Sequence, residues 1–165
     1  MKTKLQSAKL LIVLTFSFTV VFSACQKDKD DEPQTKKELL TSSKWKITGC
    51  TISPEMPIYD ENFNIIGSSA EMFDKMEACI KDDTFKYNMD LSVIFDEGAS
   101  KCEESDSQTI SATWDFKANE TILSHNSDGY VTDYNILELT DNILRLQYPD
   151  SYDSQTYTIT LTFNH

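Results

Sequence analysis

The sequence predicts an all-β fold: an eight-stranded antiparallel up-and-down barrel, with a two-sheet β-sandwich as the alternative. A short N-terminal helix opens it, and a second helix sits in its first long loop. Three observations carry this prediction. Apolar segments of strand length recur from Lys44 to the C-terminus, and the later ones are joined by short connectors rich in turn formers. The last segment alternates: Tyr157, Ile159, Leu161 and Phe163 face one way, Thr156, Thr158, Thr160 and Thr162 the other. Sequential antiparallel strands that each bury one face leave two exposed edges unless the first strand pairs with the last, and closure removes both.

The elements follow in order. Thr35-Lys36-Lys37-Glu38 has the spacing of a capping box and precedes Leu39-Leu40, so a short helix opens the domain. Lys44 to Ile52 reads as the first strand. Seven further segments follow, at Thr84 to Asn88, Leu91 to Asp96, Thr109 to Phe116, Thr121 to His125, Val131 to Leu139, Ile143 to Tyr148 and Gln155 to Phe163. Asn126-Ser127-Asp128-Gly129, Asp141-Asn142 and Pro149-Asp150-Ser151 supply residues that tolerate positive φ or preset a turn. Ser53 to Asp82 is a long excursion for a compact barrel. Within it, Ser68-Ser69-Ala70-Glu71 has capping-box spacing, and Met72, Met76 and Ile80 then recur at helical spacing with Phe73 beside them.

The N-terminus reads as a targeting segment. Lys2, Lys4 and Lys9 lead a predominantly apolar run from Leu10 to Phe22, which is too short to span a bilayer as a helix, and Ser23-Ala24 precede Cys25. Phe22-Ser23-Ala24-Cys25 resembles a bacterial lipobox, in which the cysteine thiol receives the lipid. The expectation is a signal peptide over residues 1–24 and a chain held to a membrane by acyl groups on Cys25. Residues 25–38 then form an acidic linker without large apolar side chains, and 39–165 the barrel domain. Lys27-Asp28 and Asp30-Asp31-Glu32 are similar to the signal that directs Bacteroides-type lipoproteins to the outer face of the outer membrane; a plain solvated tether is the alternative.

Charge and cysteine usage bound the function. Removal of residues 1–24 takes away three lysines and no acid, so the net charge moves from −12 to −15, which argues against a nucleic-acid partner. Cys50, Cys79 and Cys102 remain beside Cys25, an odd number in an oxidising compartment. Cys79 and Cys102 each lie at the edge of an apolar segment beside polar, turn-like residues, whereas Cys50 falls inside the first strand, so the expected bridge is Cys79 to Cys102. No Cys/His cluster has metal-site spacing, and no cofactor motif is present. His125 and His165 stand apart from any triad-like arrangement, so the chain reads as a non-enzyme.

Ser43-Lys44-Trp45-Lys46-Ile47, after Leu39-Leu40, resembles the opening of lipocalin-like domains, where Gly-x-Trp begins the first strand; Ser43 stands in place of the glycine. Cys79-Ile80-Lys81-Asp82-Asp83, Lys101-Cys102 and Thr113-Trp114-Asp115-Phe116 are similar to the Cys-x-x-Asp-Asp and Cys…Trp-x-Phe spacing of lipocalin-like lipoproteins of Bacteroides-type bacteria. The resemblance covers most of residues 36–165. It implies a lipocalin-like calyx, supports the Cys79 to Cys102 pairing, and places Trp45 at the structural base of the barrel.

On that reading the candidate ligand-lining residues are Phe85, Tyr87, Phe95, Trp114, Phe116 and Tyr157, and Met72, Phe73 and Met76 form a candidate lid, with plain core packing as the alternative for the methionine stripe. The expected ligand is a small, apolar molecule. The same aromatic residues would also fill a solid barrel, and the pattern leaves that choice open; a solid barrel would make the protein a surface interaction or scaffold module for a protein or glycan partner.

Overall fold

A computed structural model of the chain describes residues 33–152 and 154–165. The signal segment, Cys25 and the charged run to Glu32 lie outside the described residues.

Helix α1 (Lys36–Thr41) starts on the expected capping box. The Thr35 side chain accepts from the Glu38 amide, and the Glu38 carboxylate accepts from the Thr35 amide at 2.8 Å. Among the described residues nine strands follow: β1 (Lys44–Tyr59), β2 (Ile65–Glu71), β3 (Thr84–Tyr87), β4 (Ser92–Asp96), β5 (Thr109–Lys117), β6 (Ile122–Ser127), β7 (Tyr130–Leu139), β8 (Ile143–Tyr152) and β9 (Gln155–Asn164). Each consecutive pair from β3 to β9 is antiparallel, β1 pairs β3, and β1 also pairs β9 from Lys46↔Asn164 to Ser53↔Thr158. That last pairing closes a barrel of eight strands, with β2 outside the circuit as a flap on β1. The sandwich alternative is thereby excluded.

The closed end is built around α1 and the start of β1. Leu40 and Trp45 are both 0% exposed, and the Trp45 indole N–H donates to the Leu40 carbonyl at 2.8 Å. His165 stacks on Trp45 with ring centroids 4.1 Å apart. Trp114, packed edge-on against Phe116 at 5.3 Å, donates its indole N–H to Asn88 in the β3–β4 turn. Lys36 reaches the Glu120 carbonyl in the β5–β6 turn at 2.6 Å, and this ties the helix across the barrel floor.

The first long connection departs from the expected loop with an amphipathic helix. Strand β1 continues to Tyr59 and folds back through β2, so Ser68-Ser69-Ala70-Glu71 is strand and not a helix start. Pro54 has no N–H to give, and the ladder with β9 ends at Ser53. The hairpin turn is held by Asp60, whose carboxylate accepts from the amides of Asn62 and Asn64 at 2.8 and 2.9 Å. What helix exists is a single 3-10 turn, Phe73–Lys75, and α2 (Ala78–Lys81). Ile80, expected on the apolar stripe, is 38% exposed, while Cys79 is buried in its stead.

Cys79 and Cys102 are joined by a disulfide, with Cα atoms 5.3 Å apart. It links α2 to the loop between β4 and β5. Asp82 reinforces the link by accepting from the amides of Ala99 and Ser100, both at 2.9 Å. Gly98 makes this approach feasible: its φ is +69°, and a Cβ there would run into the Asp82 carbonyl.

Candidate functional site

The strands alternate, so one side chain in two points into the barrel, and the register places these inward residues in layers. Ile47, Phe163 and Leu144 form one layer; Cys50, Leu161 and Leu146 the next; Ile52, Ile159 and Tyr148 a third, nearer the open end. The first layer is buried. Above it the interior is not filled.

Two chambers occupy the upper lumen. The first, of about 310 Å³, is lined by Cys50, Ile52 and Met56 of β1, Tyr148 of β8, and Ile159 and Leu161 of β9; Met72, Lys75 and Met76 from the segment after β2 complete its wall. The second, of about 250 Å³, runs from Phe85 and Phe163 past Tyr87, Phe95, His125, Tyr134, Leu146 and Leu161 to Ser127, Tyr130 and Thr132 at the rim of the β6–β7 hairpin. Leu161 belongs to both linings. Tyr134 faces the second chamber and Tyr148 the first, and their rings meet edge to face at 5.2 Å. A third cleft, of about 350 Å³, lies at the open rim between the flap and the β8–β9 hairpin and is lined by Met56, Pro57, Tyr59, Tyr152, Gln155 and Tyr157.

The first chamber is almost entirely apolar. Its one thiol, Cys50, is buried and free, and its pKa is raised by that burial and by the Glu71 carboxylate. The Tyr148 hydroxyl is pushed up to about 12, chiefly by burial and then by Tyr134. Lys75 at the edge is the only charged lining group.

The second chamber is amphipathic. Phe85, Phe95 and Phe163 pack edge to face at 5.1 and 5.4 Å and form an aromatic wall. His125 packs edge to face against Phe95 at 5.8 Å, and its Nε2 is 2.9 Å from the Tyr87 hydroxyl. Burial lowers its pKa to about 4, so the ring is neutral at physiological pH, and burial likewise holds the Tyr87 phenol protonated.

A family model for the lipocalin-like domain matches residues 43–146. The chain belongs to the lipocalin-like domain family. Among solved structures, the lipocalin-like chain is similar to bovine odorant binding protein in complex with undecanal, at a TM-score of 0.42 and 13% identity over 82% of this chain and 76% of that one. The complex of the same bovine protein with a selenium-containing odorant gives 0.41 and 12% over the same shares. No curated protein matches the sequence.

Against this lipocalin-like barrel the expected site residues separate into groups. Phe85, Tyr87 and Phe95 do line a chamber. Trp114 and Phe116 do not: they sit on the strand end nearest α1 and pack against each other as floor. Tyr157 lies one layer too high and faces the rim cleft. Met72 and Met76 wall the first chamber, while Phe73 packs on the core and under the Lys81 ammonium, 5.1 Å from its ring.

Cys50, Ile52, Tyr148 and Leu161 were not among the expected lining residues, although the alternation of β9 already placed Ile159 and Leu161 on the inner face. His125 was also missed, because a single histidine in a strand carries no pattern of its own.

Among the described residues, polar groups also cluster outside the lumen. Glu77, Cys79 and Cys102 place possible ligand atoms within 4.8 Å of one another, but both sulfurs are committed to the disulfide. Asp83 has one carboxylate oxygen buried without a hydrogen-bond partner; burial, with Glu97, Asp82 and Asp96 close by, raises its pKa to about 6.

Proposed function

We propose that this lipocalin-like barrel binds a small, largely apolar molecule in its lumen, and that the chain is a cell-envelope lipoprotein carried on acyl chains at Cys25. The observation that carries the binding reading is the unfilled upper interior, with two chambers walled by side chains where a solid core would have closed the space. Their size suits one small molecule each. An engineered apolar cavity of about 150 Å³ takes one benzene, and ligand pockets begin at roughly 300 Å³. The lining favours a neutral or weakly polar ligand, since the second chamber offers a neutral imidazole and phenols and not an ion pair. Native mass spectrometry of the gently extracted protein tests this: a co-purifying small molecule that is lost on denaturation supports it, and an empty chain that takes up no apolar probe contradicts it.

The anchor reading rests on Phe22-Ser23-Ala24-Cys25 and the basic and apolar segments before it. Cys25→Ser should move the protein from the membrane fraction to the soluble one. The outer face of the outer membrane is the proposed address, on the strength of the lysine and acidic residues that follow Cys25.

The flap supports a second reading. Phe63, Ile65 and Ile66 are 86%, 66% and 66% exposed, an apolar tip that would suit a protein or glycan partner.

A further inference from the structure

Leu161 occupies a position no other described side chain shares: it lines both chambers. On β9 it sits opposite Cys50 of β1 on one side and Leu146 of β8 on the other, and these neighbours line the first and the second chamber respectively. It is only partly buried, although Phe163, two residues on, is 5% exposed and Leu146 beside it 2%. A residue on the inner face of a closed barrel keeps such accessibility when there is open space against it. Tyr134 and Tyr148, on the neighbouring strands β7 and β8, meet edge to face at 5.2 Å and line the second and first chamber respectively.

We infer that Leu161 is the specificity-determining residue of the lumen, a partition that restricts the barrel to short or compact apolar ligands and excludes extended chains. This rests on the ligand-binding reading above. Each chamber alone, at about 310 and 250 Å³, lies at or below the lower limit of ordinary ligand pockets, roughly 300 Å³. Joined, they would fall well inside that range. The two walls also differ, the first being sulfur-rich and aliphatic and the second aromatic with one polar edge, so an undivided lumen would admit a longer molecule with dissimilar ends.

The test is a calorimetric comparison of 1-hexanol and 1-decanol binding to the full chain as wild type, Leu161→Ala and Leu161→Phe, with thermal melts to establish that each variant is folded. Wild type should bind 1-hexanol saturably and gain little from the longer chain. Leu161→Ala should bind 1-decanol about tenfold or more tighter than wild type does, the effect of burying roughly two further methylenes. Leu161→Phe thickens the partition and should leave 1-decanol no better bound than in wild type; it keeps the test available if the alanine variant does not fold, because a tighter 1-decanol complex there would overturn the inference. If 1-hexanol binds but Leu161→Ala leaves the ratio of the two affinities unchanged, the partition is wrong and the ligand reading stands. If neither alcohol binds any form, the ligand reading fails and the partition with it.

Discussion

The Tyr87 hydroxyl and Nε2 of His125 lie 2.9 Å apart, joining strands β3 and β6 across the barrel interior, with both side chains buried. The pair has a pH consequence. His125 titrates near 4 in the folded chain and near 6.5 when unfolded, so between those values the unfolded state holds the extra proton. Stability from this group is therefore complete above about pH 6.5 and is lost as the pH falls towards 4, by about 2 kcal/mol at pH 5. The change in stability from pH 7 to pH 5, measured by urea denaturation, should be less favourable in wild type than in His125→Gln by this amount; the same change in both proteins would contradict it. Tyr87→Phe, which leaves the imidazole nitrogen without its partner, should cost about 1–3 kcal/mol at pH 7.

Asp83 should behave in the opposite sense. Its folded pKa is raised to about 6, so the ionised carboxylate, with a buried oxygen lacking a partner and three acids nearby, opposes folding at neutral pH. The penalty grows as pH rises from the ordinary carboxylate range through 6. Asp83→Asn should accordingly raise the urea midpoint at pH 7, and the gain should vanish below about pH 4. A variant less stable than wild type at pH 7 would show that the carboxylate has a stabilising partner.

The disulfide closes a chain separation of 23 residues between α2 and the β4–β5 loop. On loop-closure entropy alone, the Cys79→Ser/Cys102→Ser pair of changes should lower stability by about 3 kcal/mol. Denaturation curves of the two forms under non-reducing conditions measure it. A difference below about 1 kcal/mol would mean that Asp82 already fixes the loop without the covalent link.

Gly98 and Gly129 both have positive φ, but only Gly98 faces a wall. Gly129→Ala should cost about 1–2 kcal/mol for the left-handed backbone and no more. Gly98→Ala should cost clearly more, because its methyl group would meet the Asp82 carbonyl as well. Matched thermal melts of the two variants check the ranking, and equal losses would contradict it.

The sequence made most of the strand circuit legible because each of these strands buries one face, as Tyr157, Ile159, Leu161 and Phe163 do on β9. The flap was not legible for the converse reason. Ile65 and Ile66 are both exposed, so β2 has no inner face to impose alternation, and Pro54 and Pro57 interrupt the strand signal on β1. Ser68 to Glu71 matched a helix start because a capping box asks for only two residue types at a fixed spacing; in the flap those residues serve a strand. The site was half legible. Phe85, Tyr87 and Phe95 follow from aromatic content on short strands, but height along the barrel depends on register, which the bulge at Ile47/Gly49 shifts and which no local pattern reports. Trp114 and Phe116 pack into the floor near α1 and Tyr157 faces the rim cleft, so none of the three lines either chamber.

The most direct test of a ligand-holding lumen is methyl-resolved NMR of the chain titrated with 1-hexanol. The account predicts saturable shifts at the inward methyl groups of Ile52, Ile159, Leu161 and Leu146, with Ile65 and Ile66 on the flap unmoved. Shifts confined to Ile65 and Ile66, or none that saturate, would contradict it.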